Sequence, residues 1–401
     1  MLFRLQKILL WPALIGLSAA SCWGIYSAHL LAQPLWAPMG LRRLALFSCA
    51  YALWCALVIG FSRRWFVPLT SFAALAWTVL SIGVKPVGAV ALFLFSCLVL
   101  GRIILRESNP FLPAVLGMAL FMTVIGAAIH FPINYPLAYL ALFLAPLTNL
   151  RIAGRTLAEC WDFFRPVERG SRPEYVAAAL LGFVMLAQLL SSFKPETGPD
   201  GLGMHLFIPW SVYFKHYWGF DFQRISWALM PMGGDWCFTG VFLLGGESAV
   251  KLLNFGVLAI LTGMVYWVVR HWLLRGPALV TTALFVSSPL AQLVTGSVFV
   301  ENIQAAFLIG ALVALWQYRE RGSRPWLFTS AVLLGSGMAT KFGSLAFAAP
   351  FVLFAAAEVW RWARRLKRNL SITALTASAA QPRYGQPRPS SNRESGASRR
   401  Y

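Results

Sequence analysis

The chain is a succession of long, nearly unbroken apolar runs, such as Ala89–Leu100 and Val176–Ala187, joined by short segments in which arginine recurs. These runs do not follow the amphipathic period of a half-buried surface helix. A helix that crosses a bilayer needs about 20 predominantly apolar residues. The runs predict spans near 9–32, 44–61, 66–84, 87–105, 111–130, 135–150, 173–193, 249–269, 277–295, 302–318, 326–340 and 344–360. The expected fold is an all-α polytopic membrane bundle of about twelve spans, each near that length. One connection breaks the compact pattern. Residues 194–248 are too polar to span and too apolar to be disordered, and loops of this length are usually functional. The aromatic-rich stretch Ser211–Phe222 predicts one or two helices lying in the outer membrane interface.

Composition agrees with the pattern. Of 401 residues, 58% are apolar and only 12% charged, where soluble domains carry roughly 25% charged residues; the mean hydropathy is +0.66. The formal charge of +20 suggests nucleic acid until its distribution is read. Ten basic residues and one acid, Glu394, lie in Arg361–Tyr401, and most of the others sit in short loops between apolar runs. Charge placed this way sets topology and meets anionic head groups, so no nucleic-acid partner is expected. The six cysteines show no CxxC spacing, which argues against a disulfide framework or a zinc site.

The basic loops fix one expected orientation. With the N-terminus inside, Arg63 and Arg64, Arg102 and Arg106, Arg151–Arg172, Arg270 and Arg275, and Arg319–Arg324 all face the cytoplasm, as does the tail. The connections Phe131–Tyr135 and Thr295–Glu301 carry no Lys or Arg and fall outside. The expected organisation is an N-terminal bundle over 1–150, a basic cytoplasmic linker over 151–172, a membrane core over 173–360 with the outer loop 194–248, and a basic disordered tail over 361–401. The expected location is a bacterial-type inner membrane with both termini cytoplasmic.

Of fourteen acidic residues, six fall on the expected outer face: Glu196, Asp200, Asp221, Asp235, Glu247 and Glu301. Asp200 precedes a glycine-rich turn and lies five residues before His205. It is either the N-cap of a helix starting at Gly201 or a carboxylate placed to take a proton from an attacking hydroxyl. Glu301 is either a dipole partner at the start of a span or a site residue at the membrane surface. Lys341 is either a snorkelling lysine or a point charge for a lipid-borne phosphate. A divalent metal ion is a further candidate, held by His205 or His216 with Asp200 or Asp221, although their spacing is not diagnostic. No GxxxxGK[ST], HExxH or GxSxG occurs, so ATP-driven transport, zinc proteolysis and serine hydrolysis lack support.

Three segments taken together, Asp200–Pro209 (DGLGMHLFIP), Pro231–Phe255 (PMGGDWCFTGVFLLGGESAVKLLNF) and Val300–Gln304 followed by Gly335–Leu345 (GSGMATKFGSL), resemble the C-type integral-membrane glycosyltransferases. These enzymes use polyprenyl-phosphate sugars and include protein mannosyltransferases and aminoarabinose transferases. The resemblance implies Asp200 as catalytic base, His205, Asp235 and Glu301 as substrate-binding residues, and Lys341 on the carrier phosphate. It implies transfer, in an inverting reaction, of a hexose or pentose from a polyprenyl-phosphate-linked donor to a lipid, glycan or protein acceptor at the extracytoplasmic face. A non-enzymatic lipid-linked glycan transporter or membrane component, or a truncated inactive transferase, is the alternative. Acids gathered at one surface favour chemistry over passage, because transport paths place charge along the membrane midplane.

Overall fold

A computed structural model describes residues 38–357, apart from 108, 163, 167–169, 221, 222 and 224, together with a few positions in 16–27 and 360–364. The expected first span, Asp221, and most of the basic tail lie outside these residues. The described residues are mostly helical, with no strand among them. They divide into two compact units, Met1–Ser344 and Leu345–Tyr401. In the second, residues 349–357 are helical.

The first unit begins with α1 (Pro38–Ser62) and α2 (Phe66–Ile82), then α3 (Val84–Ile104) and α4 (Phe111–Ala128). It continues through α5 (Pro136–Leu144), α6 (Leu150–Asp162) and α7 (Arg172–Ser192). After the long connection 194–248, which holds α8 (Phe207–Lys215) and α9 (Gly233–Gly245), come α10 (Glu247–Trp272), α11 (Arg275–Val286), α12 (Pro289–Gly296), α13 (Glu301–Arg321) and α14 (Arg324–Thr340). Among the described residues, five helical segments are long and apolar enough to cross a membrane, or up to seven if each of two bent pairs counts as one span. That is fewer than the apolar runs suggest: most of the expected first span lies outside the described residues, α13 and α14 fall short in hydropathy or length, and three places add to the difference.

First, α1 and α2 count together as one 45-residue apolar segment, although Ser62 is extended (φ −164°, ψ 113°) and the 3-10 turn over Arg63–Trp65 folds the chain back so that Trp54 Nε1 donates to Thr70 Oγ1 at 3.0 Å. Second, the run expected over 135–150 is a short helix, and α6 leaves it at 91°. The kink follows Pro146 and Asn149, and α6 makes an amphipathic helix of part of the basic linker. Third, the expected span 277–295 breaks at Ser287–Ser288 into α11 and α12, bent by 59°. The Ser288 hydroxyl caps the new helix by accepting the Ala291 N–H at 3.2 Å.

The core lies where α3, α4, α5 and α9 meet. Phe93, Phe121 and Phe143 form a cluster with ring centroids 5.0–5.9 Å apart, edge-to-face contacts that add to simple burial. Helices α3 and α4 cross in backbone contact: a Cβ on Gly101 or Gly117 would sit 1.8 Å from the carbonyl oxygen of Pro113 or Cys97. Small residues at such crossings are how membrane helices approach closely. Helices α13 and α14 form an antiparallel hairpin through Gly322, whose φ of +66° ends α13 in the left-handed region. The hairpin returns Lys341 to the end of the bundle where Glu301 starts.

Within the connection 194–248, α8 buries Ile208, Pro209, Ser211 and Val212 and leaves Trp210, Tyr213 and Phe214 exposed, the aromatic face expected of an interfacial helix. By contrast α9 is not interfacial. Most of its residues, Asp235 included, are buried, and it packs against α3, α4, α8 and α10.

Candidate functional site

One end of the first unit gathers the C-terminus of α7, the N-termini of α9, α10 and α13, and the C-terminus of α14. The acids follow that arrangement. His205 and Asp235 make the first contact, with His205 Nδ1 2.7 Å from Asp235 Oδ1 and both side chains nearly enclosed. Burial alone would push the His205 pKa down, and the Asp235 carboxylate, by charge and by hydrogen bond, more than offsets it and raises the value above 6.5. Burial raises the Asp235 pKa in turn. An Nδ1–H donated to Asp235 leaves Nε2 as the free ring nitrogen.

Glu301 and Lys341 make the second contact. The Lys341 ammonium is hydrogen-bonded to Glu301 Oε1, while Glu301 Oε2 is buried without a partner among the described residues. Lys341 is therefore a paired cation and not a snorkelling one, and Glu301 spends its charge on Lys341 and not on a cap. Both groups act electrostatically on His205, and Glu301 on Asp235 as well, so the four side chains form one cluster.

Two glycines make the cluster sterically feasible. A Cβ on Gly233 would lie 2.8 Å from the Ala339 carbonyl oxygen, and one on Gly234 would lie 2.6 Å from the Val300 side chain. Without side chains at both positions, the start of α9 wedges between the end of α14 and the start of α13, and Asp235 reaches their shared end.

Asp200 stands apart from these contacts. It precedes a single π-helical turn, Gly201–His205, that carries His205; such turns are rare and concentrate at functional sites. Its side chain makes no capping hydrogen bond and is exposed. The capping alternative therefore has no bond behind it, and the carboxylate is open to solvent.

A second, buried layer holds these elements and was not anticipated from the sequence. Glu196 Oε1 accepts the N–H groups of Thr197 (3.0 Å) and Gly198 (2.8 Å), and Oε2 accepts that of Val298 (2.7 Å). The Glu196 N–H donates to Glu247 Oε1 at 2.6 Å. Lys251 sits 3.8 Å from Glu196 Oε2 and donates to the Gly296 carbonyl at 3.0 Å, fully enclosed. Asn254 donates to the carbonyls of Val294 and Ser297, and Asn302 to Asn254 Oδ1 and Thr295 Oγ1. On the other side, Gln304 donates to Ser344 Oγ at 2.8 Å, and the Ser344 N–H donates to the Lys341 carbonyl at 3.0 Å. A lysine in an apolar run four residues after Glu247 was the available signal, since buried ionisable groups in such runs come with partners.

The described residues contain no group of three His, Cys, Asp or Glu side chains placed to hold a metal. His216 ends α8 in the left-handed region and stacks on Tyr135 with ring centroids 4.0 Å apart, and its Nδ1 is buried without a partner.

No curated protein and no solved structure matches the chain. Residues 230–381 match the family model of the dolichyl-phosphate-mannose-protein mannosyltransferases. This segment contains Asp235, Glu301 and Lys341, while Asp200 and His205 precede it. The chain is therefore similar to that family over these 152 residues, in keeping with its long apolar helices.

Proposed function

We propose that the protein transfers a sugar from a polyprenyl-phosphate donor to an acceptor hydroxyl at the extracytoplasmic face of a bacterial-type inner membrane, with inversion at the anomeric carbon. The observation that carries this reading is the convergence of Asp235, Glu301 and Lys341 with His205 at one end of the bundle, with the exposed Asp200 at the start of the turn that carries His205.

The chemistry follows from the groups present. The polyprenyl phosphate is the leaving group, and negative charge grows on it as the glycosidic C–O bond breaks. Lys341, half-exposed and anchored by Glu301, supplies positive charge where that develops, which is the most effective use of a fixed charge in a poorly hydrated site. Asp200 takes the proton of the acceptor hydroxyl as the oxygen attacks the anomeric carbon from the opposite side, a role worth about 10²–10⁴-fold in rate. Glu301 Oε2, left without a partner, and the free Nε2 of His205 offer an acceptor and a donor or acceptor for sugar hydroxyls. Asp235 fixes the His205 tautomer. The acceptor is a lipid, glycan or protein, and a divalent metal ion is not required by any of these steps.

The test is to incubate the purified full chain with a panel of polyprenyl-phosphate hexoses and pentoses and a membrane-lipid extract. Release of polyprenyl phosphate together with a new glycosylated product is expected. A transporter would bind donor and release none.

A further inference from the structure

We propose that a groove between α1 and α7 is a binding site for an anionic phospholipid, separate from the sugar-transfer site. A cavity of about 590 Å³ opens between the two helices, walled by Tyr51, Cys55 and Ile59 of α1 and by Val176, Leu180 and Phe183 of α7. Its volume lies within the about 300–1,000 Å³ of ligand pockets. The helices are spaced apart by aromatic side chains: Phe47 meets Phe183 at 5.0 Å, and the Tyr51 hydroxyl donates to the Ala179 carbonyl at 2.8 Å. Among the described residues no side chain fills the space between them, and it is apolar along most of its length.

At one end the lining changes character. Arg63 and Arg172 close the apolar cavity, and a second cavity of about 390 Å³ adjoins it, sharing Arg63 and Tyr175 and lined further by Ser62, Arg64 and Gly170. All three arginines are exposed, and among the described residues none is engaged in a salt bridge. An apolar slot that runs past Arg172 into a smaller chamber lined by Arg63 and Arg64 has the two-part chemistry of a phospholipid: an acyl chain for the slot and a phosphodiester for the guanidinium groups. Guanidinium forks match phosphate oxygens well, and basic pockets between membrane helices are recognised sites for anionic head groups.

The site is distinct from the sugar-transfer cluster. Arg172 begins α7, and the chain reaches Glu196 and Asp200 only after its other end; 21 residues at 1.5 Å each separate the ends by about 30 Å. A donor phosphate held at Arg63 would be a membrane thickness from Lys341, so the donor lipid is not the occupant.

The test uses the full chain, stripped of lipid in detergent, and native mass spectrometry with phosphatidylglycerol, phosphatidylcholine and polyprenyl phosphate as separate probes. One retained phosphatidylglycerol is expected on the wild type, with little phosphatidylcholine. The double variant Arg63→Gln/Arg172→Gln should bind it about thirtyfold more weakly, at about fivefold per arginine. Ala52→Phe, which fills the groove and keeps every charge, should lose it as well and serves if the arginine variant does not fold. Equal retention by wild type and both variants, equal binding of the neutral and anionic phospholipids, or stronger retention of polyprenyl phosphate than of phosphatidylglycerol would each overturn the proposal.

Discussion

The carboxylate of Glu196 accepts the backbone N–H of Val298 at 2.7 Å, bonding the loop that precedes Asp200 to the loop that precedes Glu301. The other oxygen of the same carboxylate organises Thr197 and Gly198, and Lys251 balances its charge from within α10. The proposed base and the acid that anchors the phosphate-binding lysine are thus set in register by one buried anion.

Removing that anion should be costly. Glu196→Ala leaves three N–H groups without their acceptor and the Lys251 ammonium without its counter-charge, and breaking a buried pair in this way costs about 3–5 kcal/mol. Equilibrium unfolding in detergent measures it, and a loss under about 1 kcal/mol would show that the bond network is not what holds the loops. Lys251→Met, which removes the cation and keeps its bulk, should also destabilise, because Glu196 then stays charged and buried.

Adding one methyl group at Gly233 should disturb the site more than the fold. The new Cβ would press on the Ala339 carbonyl oxygen at 2.8 Å, where backbone cannot yield easily. Overpacking of this kind costs about 1–3 kcal/mol. Gly233→Ala is expected to remain folded but to move Asp235 away from His205, so sugar transfer should fall at least tenfold while the unfolding midpoint shifts only modestly. Unchanged transfer would mean that α9 can retreat without consequence.

The His205–Asp235 pair predicts a pH dependence. The folded pKa of His205 is raised above its ordinary 6.5 by Asp235, so the folded state binds the proton more tightly than the unfolded chain does. The stability from this pair is fully present below about 6.5 and is lost as the pH rises through the raised folded value. Thermal midpoints of wild type and His205→Gln, compared across that range, should converge as the pH increases; a gap that widens with pH would contradict the pairing.

Lys341→Ala should act on the donor. If the ammonium meets the carrier phosphate, its loss removes a charge-assisted hydrogen bond of about 1.5–3 kcal/mol, roughly tenfold or more in donor affinity or rate. Glu301→Gln keeps the lysine and removes its anchor, so its effect should be smaller on the KM for donor. Identical kinetics in the two variants would argue that the ion pair is structural only.

The class of fold was legible because apolar runs such as Val176–Ala187 admit only one environment. The shared end of Asp235, Glu301 and Lys341 was legible through the spacing of arginines, which sorted the connections by side. What the sequence concealed are features with no hydropathy signature. The break at Ser287–Ser288 depends on a side-chain cap inside a run that hydropathy reads as continuous. The burial of α9 depends on what Gly233 and Gly234 face across the bundle, which a glycine pair read along the chain cannot reveal. The Glu196 network joins positions about a hundred residues apart, so Glu196 and Glu247 look in sequence like the solvent-facing acids around them.

The central claim rests on Asp200, whose exposed side chain makes no capping bond. The most direct measurement is the rate of sugar transfer from a polyprenyl-phosphate donor by wild type and Asp200→Asn, with donor binding followed in parallel. The account predicts a fall of about 10²–10⁴-fold in kcat, with donor affinity and unfolding midpoint unchanged. Full transfer by Asp200→Asn would contradict it.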